Sequence, residues 1–117
     1  MTDNELLGLA DQLLTERSVT LDAVWPHAAA VLTRQALELS LRQYWFVREK
    51  GMLSASTASQ LSGLRLDLAR HEVGDLRIAW NGLSRALHVS GYNHPPSVEE
   101  LARWATAVRS LATHHKP

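Results

Sequence analysis

No cysteine occurs in the chain. Disulfide staples and thiolate metal sites are therefore excluded, and the redox compartment is left open. Lysine stands only at Lys50 and Lys116, so nearly all positive charge is arginine, the side chain suited to forked contacts with carboxylate or phosphate. Neither sign of charge is in excess: twelve basic residues face twelve acidic ones. That balance argues against life on DNA or anionic lipid through bulk attraction, although segregated charge could still form a local basic patch. No apolar run approaches the roughly 18 residues needed to span a bilayer. The first residues, MTDNELLGLADQLL, place acids ahead of a mixed run and do not read as a signal peptide; the expected location is cytoplasmic. Glycine-rich phosphate loops, G-x-S-x-G and H-E-x-x-H are all missing, and nothing alternates at period two, so no sheet is expected.

What remains is helical periodicity over a length, 117 residues, that suits one domain with a real core. The stretch from Leu21 to Lys50 organises the rest. It has one early proline, no glycine, and apolar residues at helical spacing in two rows. One row is Val24, Ala28, Val31, Leu32, Ala36, Leu39 and Gln43; the other is Ala30, Leu37, Leu41 and Tyr44. A helix apolar over most of its girth is expected to be buried by its neighbours. A narrow polar row, Arg34, Glu38 and Arg42, is left over. A first helix is expected over 3–18, capped by Thr2 or Asp3. A third should run from a Thr57–Gln60 capping box to Gly74, and a fourth from an Asp75 cap to Gly91. Gly82 within that fourth helix reads as a close helix–helix contact. Ser97 with Glu100 forms the clearest capping box and opens the last helix, whose tail from Thr113 should fray. The whole reads as an all-α, up-and-down bundle of four to five helices around one long buried helix (about 22–50), a single domain over 1–117.

Candidate chemistry concentrates on the fourth helix. Arg77, Asn81, Ser84, Arg85 and His88 share one face opposite Leu76, Trp80, Leu83 and Leu87. Two arginines, an amide, a hydroxyl and an imidazole could hold a phosphate or carboxylate, and His88 could move a proton near neutral pH. The same face could equally be a solvated one paired with Glu38, which could orient Arg85 or His88 across a helix contact. The six histidines are scattered and predict no metal site, and no cofactor is expected. Trp25, Trp45 and Trp104 fall near the edges of apolar stripes, where tryptophan and arginine often build self-association surfaces. A pocket beneath Trp80 and Trp45 that senses a small molecule is a weaker alternative.

The run Ala30-Val31-Leu32-Thr33-Arg34-Gln35-Ala36-Leu37-Glu38 resembles the A-x-x-x-R-x-A-L-E segment of the first long helix in many HEPN-type domains. Leu83-Ser84-Arg85-Ala86-Leu87-His88 resembles a degenerate form of their late Arg…His segment. The resemblance covers about a fifth of the chain. It implies a helical bundle, a homodimer, roles in toxin–antitoxin or defence systems, and in active members metal-independent RNA cleavage. Arg85 and His88 are the positions that carry over, but His88 follows Arg85 more closely than in active members. The resemblance thus points toward the members that serve as interaction or accessory modules.

Two functions follow as expectations. The first is a non-catalytic interaction module, homodimeric, that binds itself or another protein. The second is a small metal-independent ribonuclease or RNA-binding protein in which Arg85 stabilises developing negative charge and His88 acts as acid or base. Neither requires a membrane.

Overall fold

A computed structural model describes residues 2–15, 25–87 and 96–114. The described residues form five α-helices and no strand: α1 (Asp3–Thr15), α2 (Trp25–Arg48), α3 (Thr57–Gly63), α4 (Arg70–Leu87) and α5 (Val98–His114). Two short 3-10 turns, Lys50–Ser54 and Leu64–Leu66, flank α3. The all-α bundle expected from periodicity is the architecture observed, and α2 is the element against which every other α-helix packs. No helix among the described residues is long and apolar enough to cross a membrane.

Specific contacts fix the helix directions. Arg34 early in α2 lies over Trp80 in the middle of α4, while Tyr44 and Arg48 at the end of α2 reach Asp67 just before α4. The two helices are therefore antiparallel. Gly82 of α4 meets Trp104 of α5, and Glu72 meets Ser110 and His114, so α4 and α5 are also antiparallel. Asp3 at the start of α1 accepts a buried hydrogen bond from Ser40 of α2 (2.9 Å), and Asp11 pairs with Arg109 of α5. α1 is thus tied to both of its neighbours.

The second apolar row of α2 is the centre of the core. Ala30, Leu37, Leu41 and Tyr44 are all buried, packed among Leu7, Leu64, Leu76, Leu83, Leu101, Val108 and Leu111. Burial of α2 is one-sided, however. In the first row Ala36 is buried, but Ala28, Val31, Leu32, Leu39 and Gln43 are half-buried, and the row continues into the exposed Phe46 and Val47. Periodicity registers apolar spacing without saying how many neighbours exist to cover it, and among the described residues the four other helices leave one side of the central helix open.

The boundary between the third and fourth helices differs from expectation. α3 is seven residues long and α4 begins at Arg70, so Gly74 and Asp75 lie inside α4. The break is held by side chains. Asp67 in the turn is bound by Tyr44 and Arg48, Leu68 turns into the core, and Glu72 reaches back to the Ala69 N–H (3.2 Å) as a helix-initiating contact. The α3 cap also sits one residue earlier than expected, with the Ser56 hydroxyl accepting from the Ser59 N–H. Thr2, one of the two expected caps of α1, accepts from the Glu5 N–H and donates its hydroxyl to the Glu5 carboxylate, and Ser97–Glu100 is the expected reciprocal capping pair. α5 is helical through His114, whose carbonyl accepts from Arg48 at 2.7 Å; the rest of the tail expected to fray, 115–117, lies outside the described residues. The expected caps and helix ends at 16–24 and 88–95 lie outside the described residues.

Gly82 is a contact glycine. A Cβ there would stand 2.2 Å from Cζ2 of Trp104, so the α4–α5 approach depends on its absence. Gly63 does the same for Trp45, at 2.9 Å. Trp45 and Trp104 are accordingly buried, not edge residues, and Trp80, expected in the core, is half-buried.

Candidate functional site

Of the residues singled out on α4, Arg77, Asn81 and Arg85 are exposed and Ser84 is half-buried. They share a side of the helix but make separate contacts. Arg77 donates to the Ser62 hydroxyl of α3 at 2.7 Å. Arg85 borders a groove of about 780 Å³ between α4 and α5, together with Glu72, Asp75, Glu100, Arg103 and Trp104. The Ser84 hydroxyl is shielded from solvent and has no hydrogen-bond partner. His88 lies outside the described residues.

Glu38 pairs within its own helix. Its carboxylate is 3.3 Å from Nε of Arg34, one turn away, and the Arg34 guanidinium lies 4.7 Å from the centre of the Trp80 ring. The Arg34–Glu38 contact has ion-pair distance without hydrogen-bond alignment, since the same shielded Nε lacks a bonded partner. With half of the Glu38 side chain exposed, such a pair contributes little to stability.

The most connected polar cluster was not legible in the sequence. At the end of the bundle, the Tyr44 hydroxyl donates to Asp67 at 2.5 Å, and Arg48 donates to the same oxygen while its guanidinium covers the Tyr44 ring at 4.0 Å. His114 and Ser110 of α5 both meet one oxygen of Glu72 at 3.2 Å. Burial, followed by the hydrogen bond to Asp67, pushes the Tyr44 hydroxyl well above its ordinary range. The hydrogen bond from His114 holds the Glu72 carboxyl below its usual value against the opposing effect of burial. These residues come from α2, the α3–α4 turn, α4 and α5. Only the tertiary fold assembles them, so no local motif could announce them.

The chemistry of this cluster is that of a clamp. Ser110 and His114 converge on the same carboxylate oxygen, so the imidazole is not placed between an acid and a hydroxyl as a relay for nucleophilic attack requires. Tyr44 stays protonated at neutral pH and serves as a donor. No group of three or more His, Asp or Glu residues suited to a metal ion occurs among the described residues.

A second feature is apolar. On the open side of α2, Leu39, Arg42, Gln43, Phe46 and Val47 line a shallow depression with Leu53 of the following 3-10 turn. Phe46 is 57% exposed and Val47 65%. Lys50 places its ammonium over the Phe46 ring at 4.7 Å and marks the end of the strip. No family model, curated protein or solved structure matches the chain.

Proposed function

We propose that this chain is a non-catalytic helical interaction module that forms a homodimer through the open side of α2. The observation that carries the reading is the half-exposed row Val31, Leu32, Leu39, Phe46 and Val47 on the helix that otherwise holds the core together. A contiguous apolar strip of this kind costs solubility unless a partner covers it. The polar row Arg34, Glu38 and Arg42 runs along one edge of the strip, the polar border that accompanies a protein-binding face. Kinship with HEPN-type domains, as an accessory member, goes with this proposal. The all-α bundle supports it, as does the position of Arg34 and Glu38 on the long central helix.

Light scattering on the purified protein tests the reading. A mass near twice 13.0 kDa is expected, with conversion to the monomer on Phe46→Glu while helicity by circular dichroism is unchanged. A wild-type monomer at tens of micromolar would remove the homodimer. Addition of RNA is expected to leave the mass unchanged. A shift with RNA would replace the module with the RNA-binding alternative and call for cleavage assays on Arg85→Ala and His88→Ala.

A further inference from the structure

The open side of α2 has more order than a greasy strip. Ala28, Leu32, Gln35, Leu39, Arg42 and Phe46 follow one another at intervals of four, three, four, three and four. This is the alternation that keeps one seam of a helix facing a partner helix. Every one of these side chains is exposed or half-buried. The charges of the seam lie on one edge, where Arg34, Glu38 and Arg42 succeed each other at four-residue steps.

Resting on the self-association reading, we infer that two copies pair α2 against α2 antiparallel, about a two-fold axis at Leu39. The polarity follows from what each arrangement brings together. In a parallel pair every seam residue meets itself, so Arg42 faces Arg42 of the second copy within an apolar seam, a like-charge contact that opposes association. In the antiparallel pair only Leu39 meets itself, and the apolar positions exchange. Leu32 comes opposite Phe46 of the second copy, with Val47 beside it, and Val31 falls within about one residue's rise, ~1.5 Å, of Phe46.

The polar edge is also complementary in this register. A two-fold axis perpendicular to the helices brings like edges together, so the edge carrying Gln35, Glu38 and Arg42 meets its own copy. Arg42 then lies within about one residue's rise of Gln35 of the second copy, and within about two residues' rise, ~3 Å, of its Glu38. A guanidinium spans either offset. Two Arg42–Glu38 pairs and two Arg42–Gln35 contacts form at once, because the symmetry repeats each contact. Glu38 already neutralises Arg34 within its own helix at 3.3 Å and has its second oxygen available on an exposed side chain.

The absence of cysteine makes the test clean. Single-cysteine variants are oxidised and resolved by mass, with circular dichroism confirming that each remains helical. Leu39→Cys is expected to convert most of the chain to a covalent dimer, because helices packed at the usual separation bring residues at a dyad within disulfide reach. Leu32→Cys and Phe46→Cys are each expected to remain single chains alone and to cross-link when mixed. Arg42→Glu is expected to weaken the dimer about tenfold, and Glu38→Arg in the same chain to restore it. Self-cross-linking of Leu32→Cys and Phe46→Cys, each alone, would overturn the antiparallel register in favour of a parallel one. Failure of all three while the wild type remains dimeric would move the interface to another face, leaving self-association intact. A monomeric wild type would remove both readings together.

Discussion

Single residues decide two features of this bundle. At Gly82 alanine would gain about 1 kcal/mol of helix propensity, but its methyl would stand 2.2 Å from the buried ring of Trp104. Overpacking of that kind costs about 1–3 kcal/mol, and a tryptophan held by α4 and α5 has little room to move. Gly82→Ala should therefore lower stability by up to about 2 kcal/mol in urea denaturation. Gly74→Ala, with no atom within 4 Å of the new methyl, should raise it. The other residue is Glu72. Its pKa is depressed in the folded state from an ordinary value of 4.5, so its contribution is complete above that value and disappears as pH falls through the folded one. Glu72→Gln should cost about 0.5–1.5 kcal/mol at neutral pH. The gap between variant and wild type should close as denaturation curves are taken below pH 4.5.

Elements show where sequence reasoning succeeds and where it stops. Helix starts built from local chemistry were legible. Ser97 and Glu100 satisfy each other's backbone N–H groups at 3.1 Å as the pattern implies, and Ser97→Ala should cost about 1 kcal/mol, read as a lowered melting temperature. The break between α3 and α4 was not legible. Leu61, Leu64 and Leu68 keep helical spacing through it, because the 3-10 turn at Leu64–Leu66 still points all three inward. What interrupts the helix is the grip of Tyr44 and Arg48 on Asp67, residues about twenty positions away in the chain. The candidate site divides along the same line. The α4 polar face of Arg77, Asn81, Ser84 and Arg85 could be read from spacing, but spacing could not tell that Arg77 is engaged by Ser62 and Arg85 turned to the α4–α5 groove.

For the whole molecule, the consequential feature is the position of α2. It contacts each of the other four helices, and its remaining side is the one proposed to receive a second copy. Association and folding would then be coupled, since the surface covered by the second copy belongs to the helix that carries the centre of the core. Mass action makes such a protein more heat-resistant when concentrated. Calorimetric melts of the wild type should rise in midpoint across a hundredfold range of protein concentration, whereas those of Phe46→Glu should stay level. In a cell the amount of chain present would then set its lifetime: sparse copies would open and be degraded, and abundance would preserve itself.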